Sequence, residues 1–80
     1  MAHDLVWDKR MLGAFIEHAC LTEEEMTVLN DWAYGKSIVH TAMTKHMSTA
    51  KVNDIRHRLR VKYDRVQPYT PELPPRSTRS

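Results

Sequence analysis

The sequence predicts an all-α fold, with four short helices in a small domain and a Pro-rich C-terminal tail. Three observations predict it. Apolar residues recur at three- and four-residue spacing in four separate stretches. Each stretch opens on an Asp, Ser or Thr, the residues that cap helix N-termini. All four prolines, Pro68, Pro71, Pro74 and Pro75, lie beyond the last stretch. No segment shows the alternation of a half-buried strand, and no internal repeat is visible.

The first helix is expected over Leu5–Ala19, capped by Asp4. Leu5, Leu12, Phe15, Ile16 and Ala19 share one face, widened by Trp7 and Met11. Gly13 weakens its middle by about 1 kcal/mol relative to Ala, or else permits a close helix approach.

The second helix starts at Thr22-Glu23-Glu24-Glu25, a capping box. The Thr22 hydroxyl can accept from the Glu25 amide while the Glu25 carboxylate reaches back. Three acids in one first turn also suit the positive end of the helix dipole. Met26, Leu29, Trp32 and Ala33 follow on one side, and Gly35 stops the helix after Tyr34.

Ser37 caps the third helix, Ile38 to about Lys45, which is expected to bury Ile38, Ala42 and Val39. A break comes at His46-Met47, where His46 can take the positive φ that glycine usually fills. Ser48 caps the last and longest helix, Thr49 to about Arg65. Val52, Ile55, Leu59 and Tyr63 form its buried stripe, and Pro68 sets its limit. The chain therefore divides into a helical domain over 1–66 and an extended or disordered tail over 67–80. Tyr69 and Leu73 are the tail's large apolar groups, able to fold back on the domain or meet a partner.

Eighty residues allow one domain, with a thin stability margin. A single cysteine, Cys20, excludes an internal disulfide and suits a reducing cytoplasm. Its place at a helix junction predicts a small buried group. No run approaches the roughly 20 apolar residues of a membrane span, and no signal-peptide pattern opens the chain. The five histidines are scattered, and His18 with Cys20 lacks a second pair at zinc spacing, so no metal or cofactor is expected. No nucleophile–base pairing suggests an enzyme. Trp7, Phe15, Trp32 and Tyr63 are expected in the core, and Met11, Met26, Met43 and Met47 as gap-fillers.

The net charge of +2 hides a division. Residues 1–31 carry seven acids against Lys9 and Arg10, a net of −5. Residues 32–80 carry ten bases against Asp54, Asp64 and Glu72, a net of +7. Such a molecule is oriented by a polyanion's field, though the two halves also simply attract each other.

Leu21-Thr22, Glu25, Val28-Leu29, Ala33, Gly35, Ser37, Ala42, Ser48 and Val52 stand in one joint spacing, closed by Leu59, Lys62 and Tyr63. That spacing, over about half the chain, resembles the helix-turn-helix of LuxR-type regulators and of the promoter-reading region 4 of sigma factors. The resemblance places the motif at about 37–65, with Ala42 at the helix crossing, Met47 in the turn and Val52 and Ile55 anchoring the recognition helix. Thr41 stands where the family usually has Ile, and Lys45 where it usually has Leu. The resemblance implies duplex DNA as partner, read in the major groove by the helix 49–65.

On that helix the candidate base readers are Thr49, Ala50, Lys51, Asn53, Asp54, His57 and Arg58. Asn53 suits adenine, Arg58 guanine and Asp54 cytosine, with the methyls of Thr49 and Ala50 suited to thymine. The candidate phosphate contacts are Lys36, Ser37, Lys45, Ser48, Arg56, Arg60, Lys62 and Arg65. The expected function is a small bacterial or mobile-element transcriptional regulator. A homodimer is favoured because one small reading head gives limited affinity. The alternative is a protein-interaction module on the same fold. It would dock on polymerase, a nuclease or another regulator through the acidic N-terminal half or the Pro-rich tail.

Overall fold

In the computed structural model, which describes residues 7–74, the chain is a small all-α domain with four helices and no strand among those residues. The helices are α1 (Lys9–Ala19), α2 (Glu23–Ala33), α3 (Ile38–Thr44) and α4 (Thr49–Val66), followed by a 3-10 turn at Gln67–Tyr69.

The first helix starts later than the apolar pattern suggests. Asp8, not Asp4, is the cap, and its carboxylate accepts from the Met11 amide at 2.8 Å. Asp4 and Leu5 lie outside the described residues. Trp7 precedes the helix and turns its ring inward, 5.3 Å from Phe15, 5.8 Å from Trp32 and 5.7 Å from Tyr63 between centroids. It thus joins three helices from a position outside any of them.

The capping box of α2 forms as the spacing predicts. The Glu25 amide donates to Thr22 Oγ1 at 3.1 Å, and the Thr22 amide donates to Glu25 Oε1 at 3.0 Å. Ser37 and Ser48 cap α3 and α4 by accepting from the His40 and Lys51 amides, each at 3.0 Å.

Two helix ends share one closure. After α2, Gly35 donates to the Trp32 carbonyl and Lys36 to the Asp31 carbonyl, with Gly35 at φ +81°. After α3, His46 takes φ +57° and Met47 donates to the Ala42 carbonyl at 2.9 Å. Both are left-handed terminations that use up otherwise orphaned carbonyls. Cys20, also left-handed at φ +53°, ends α1. Its side chain is exposed, so it is not the small buried group expected at that junction. The connector needs its backbone conformation, and the thiol points away from the core.

The core is built around α4, which packs on α1, α2, α3 and the 3-10 turn. Val52, Ile55, Leu59 and Tyr63 are fully buried. They meet Met11, Phe15 and Ala19 of α1, Val28, Leu29 and Trp32 of α2, and Ala42 of α3. Each buried Leu or Phe of this kind contributes about 1.5–3 kcal/mol. On α3 the burial differs from expectation. Thr41 is fully buried, with no hydrogen-bond partner for its hydroxyl, while Val39 is 57 % exposed. The buried face of α3 runs through Ile38, Thr41 and Ala42, and the helical period turns Val39 to the side of it.

Of the expected tail over 67–80, residues 67–74 are folded rather than extended, and 75–80 lie outside the described residues. Leu73 and Thr70 are buried. The Tyr63 hydroxyl donates to the Pro74 carbonyl, and Gln67 Nε2 donates to the Leu73 carbonyl at 3.1 Å. The Thr70 hydroxyl donates to the Val66 carbonyl at 2.9 Å. Tyr69 remains exposed.

Candidate nucleic-acid interface

One side of α4 is committed to the core, which leaves the opposite side to solvent. The exposed N-terminal half presents Thr49, Ala50, Lys51, Asn53, Asp54, His57 and Arg58. All seven proposed readers are thus exposed, spread over the side of α4 away from the core. The helix follows a four-residue connection, 45–48, after α3. Ala42 is buried where α3 meets α4, and its small side chain allows the close approach. Lys36, Ser37, Lys45, Ser48 and Arg65 are also exposed. The hydroxyls of Ser37 and Ser48 are occupied as caps.

Three of the proposed phosphate contacts are tied into the fold. Arg56 is 7 % exposed. Its guanidinium lies 4.9 Å from the Trp32 ring centroid and donates to the Lys36 carbonyl at 2.9 Å. It fastens α4 to the α2–α3 connector, so its guanidinium is buried and engaged within the fold instead of standing exposed as a phosphate contact would. Arg60 is half-buried on the same indole, 5.0 Å from its centroid. Lys62 Nζ donates to Glu25 Oε1 at 2.6 Å and to the Cys20 carbonyl at 3.3 Å. It fastens α4 to the α1–α2 connector, and its ammonium is likewise engaged within the fold.

Glu25 is the centre of this second fastening. It is 2 % exposed, and a buried charge of this kind needs partners. Burial pushes its carboxyl up. The hydrogen bonds from Lys62 and the Thr22 amide, with the charges of Lys62 and Arg58, outweigh that and hold it below its ordinary 4.5.

The readers are not all unengaged either. Arg58 bridges two acids, with Nη2 3.2 Å from Asp54 Oδ2 and Nη1 3.7 Å from Glu25 Oε2. Lys51 Nζ lies 3.5 Å from Glu24 Oε2. The α2-facing edge of α4 thus matches Lys51, Arg58 and Lys62 with Glu24, Glu25 and Asp54. Local spacing does not reveal this matching. The Glu25–Lys62 pair is separated by 37 positions, and the capping box already accounts for Glu25.

Ala50, Asn53 and His57 lie on the outward side with no carboxylate partner among the described residues. Lys36, Lys45 and Arg65 are exposed and likewise unmatched among those residues. Among the described residues no three His, Cys, Asp or Glu side chains converge as a metal site. No described helix is long and apolar enough to cross a membrane. The chain matches no protein-family model, no curated protein and no solved structure.

Proposed function

We propose that α3, the 45–48 turn and α4 form a helix-turn-helix that binds duplex DNA, with the outward side of α4 in the major groove. The observation that carries this reading is the one-sided anchoring of α4. Val52, Ile55, Leu59 and Tyr63 are fully buried while Ala50, Asn53 and His57 stand exposed on the outward side. A reading helix needs that division, since its outer face must be both accessible and polar.

The pairing of Arg58 shifts the base contacts toward Asn53 and His57, with Ala50 available to a thymine methyl. Lys45 supplies a phosphate contact in the turn, Lys36 one in the connector before α3, and Arg65 one at the far end of α4. On this reading the chain is a small transcriptional regulator of the cytoplasm. It works as a pair of copies, because a single small head gives limited contact area.

Selection of bound duplexes from a random pool, at near-physiological salt, tests the proposal. An enriched motif is expected, and two-fold symmetry in it would report the pair. Asn53→Ala should relax the preference at one position while leaving the fold intact.

A second reading has its own observation. Val39 and Met43 are 57 % and 72 % exposed, four residues apart on α3. Large apolar groups there suit a protein-interaction module that docks on polymerase, a nuclease or another regulator. Absence of an enriched motif, with no retention of duplex even in dilute buffer, would favour this reading.

A further inference from the structure

The α2-facing edge of α4 carries bases that a polyanion would normally attract, yet the structure gives each an acid. For Lys62 the match is integral to the fold, because Glu25 is buried and also closes the capping box. Arg58 shares that buried acid and adds Asp54. Lys51 differs. Its partner Glu24 is partly exposed, with side-chain exposures of 45 % and 40 % across a 3.5 Å pair. Glu24 makes no contribution to the capping box, which uses Thr22 and Glu25 alone. An exposed pair of this kind adds little to stability, typically 0–1 kcal/mol. The pair's consequence is therefore electrostatic.

Resting on the duplex-binding reading, we propose that Glu24 sets the affinity of this surface for duplex DNA by occupying Lys51. A phosphate that recruits Lys51 must displace the Glu24 carboxylate. It also leaves that carboxylate uncompensated beside a polyanion. Lys51 follows the Ser48 cap by three residues, at the start of the proposed reading helix, so the restraint acts where the helix would enter the groove. With Lys51 taken here as a phosphate contact and not as the base reader the sequence suggested, the restraint weakens contact with every sequence alike, because phosphates carry no sequence information. Base contacts from Asn53 and His57 then make up a larger share of the total, which keeps non-specific retention low.

The test is a comparison of duplex affinity over a range of salt for the full chain and three variants. Glu24→Gln removes the restraint and keeps the capping box. Glu23→Gln removes the same charge one residue earlier, from an exposed side chain with no cation partner among the described residues. Freeing one base adds one phosphate contact, which steepens the log–log salt slope by about 0.9. Over the span from 1 M to 0.15 M salt that slope corresponds to roughly fivefold tighter binding. Glu24→Gln should show both changes and Glu23→Gln neither. Combining Glu24→Gln with Lys51→Gln should restore the original slope. If the original chain binds duplex and Glu24→Gln matches Glu23→Gln in slope and affinity, the assignment to Glu24 is wrong. If the original chain retains no duplex at any salt, the duplex-binding reading itself fails and takes this inference with it.

Discussion

Glu25 accepts from the Thr22 amide and from Lys62 while almost wholly buried, and its carboxyl is held below its ordinary 4.5. A lowered carboxyl releases its proton more readily when folded than when unfolded. Its contribution to stability is therefore complete above about 4.5 and is lost as pH falls through the lower folded value. Glu25→Gln keeps an acceptor for Thr22 but loses the charge. The variant should be about 1–3 kcal/mol less stable at neutral pH. Its stability should also change less with acid, which urea unfolding across pH 2–7 would show. Arg56 offers a contrasting case. Read from a basic run, it looks like a phosphate contact, whereas its guanidinium is spent on Trp32 and the Lys36 carbonyl. Arg56→Ala should cost about 2 kcal/mol of stability, because the Lys36 carbonyl loses a charged donor and the Trp32 indole one of its two guanidinium partners. Loss of duplex affinity by a fully folded Arg56→Ala at unchanged melting temperature would contradict this placement. What hides such roles from the sequence is distance along the chain. Arg56 and Lys36 are 20 positions apart, and charge type alone cannot tell a clamp from a fastening.

At the scale of elements, local chemistry makes much of the chain readable. Thr22, Ser37 and Ser48 announce three helix starts, and each accepts the amide three residues on. Gly35 and His46 mark two ends, and both take the left-handed conformation. The apolar stripe of α4 is readable for the same reason, since period and burial coincide over about three turns from Val52 to Tyr63. The segment after α4 is not readable. Prolines suggest an extended tail, but Leu73 finds a place in the core and Tyr63 reaches the Pro74 carbonyl. Its fold depends on contacts with α4, not on its own propensity. Leu73→Ala should cost about 2–4 kcal/mol, read by thermal or denaturant unfolding. A change below about 0.5 kcal/mol would show that the segment adds little to the domain. In α3 the buried Thr41 hydroxyl has no partner. Thr41→Val replaces it with a methyl of similar size and should raise stability by about 1 kcal/mol.

The division of charge along the chain becomes, in the folded molecule, an edge where acids and bases meet. Acids from the start of α2 neutralise one edge of α4. The count of bases in the sequence therefore overstates the charge available to phosphates. On the duplex-binding proposal Lys36, Lys45 and Arg65 remain, and three such contacts would give a salt slope of about −2.7. All eight proposed phosphate and reader bases acting together (Lys36, Lys45, Lys51, Arg56, Arg58, Arg60, Lys62, Arg65) would give about −7. Titrating duplex affinity against salt separates these values, and a slope near −7 would mean that the internal pairs break on binding.

Each of the three helix connections repeats one device: a left-handed residue, one spacer, then a hydroxyl cap. Cys20, Leu21 and Thr22 form the first, Gly35, Lys36 and Ser37 the second, and His46, Met47 and Ser48 the third. Such joints hold no slack. The orientation of α4 is settled before any partner arrives, and little ordering entropy is left to lose on contact. Calorimetry on a bound partner should accordingly return a small heat-capacity change, matching the apolar area of the interface alone, without the larger signature of a chain that folds as it binds.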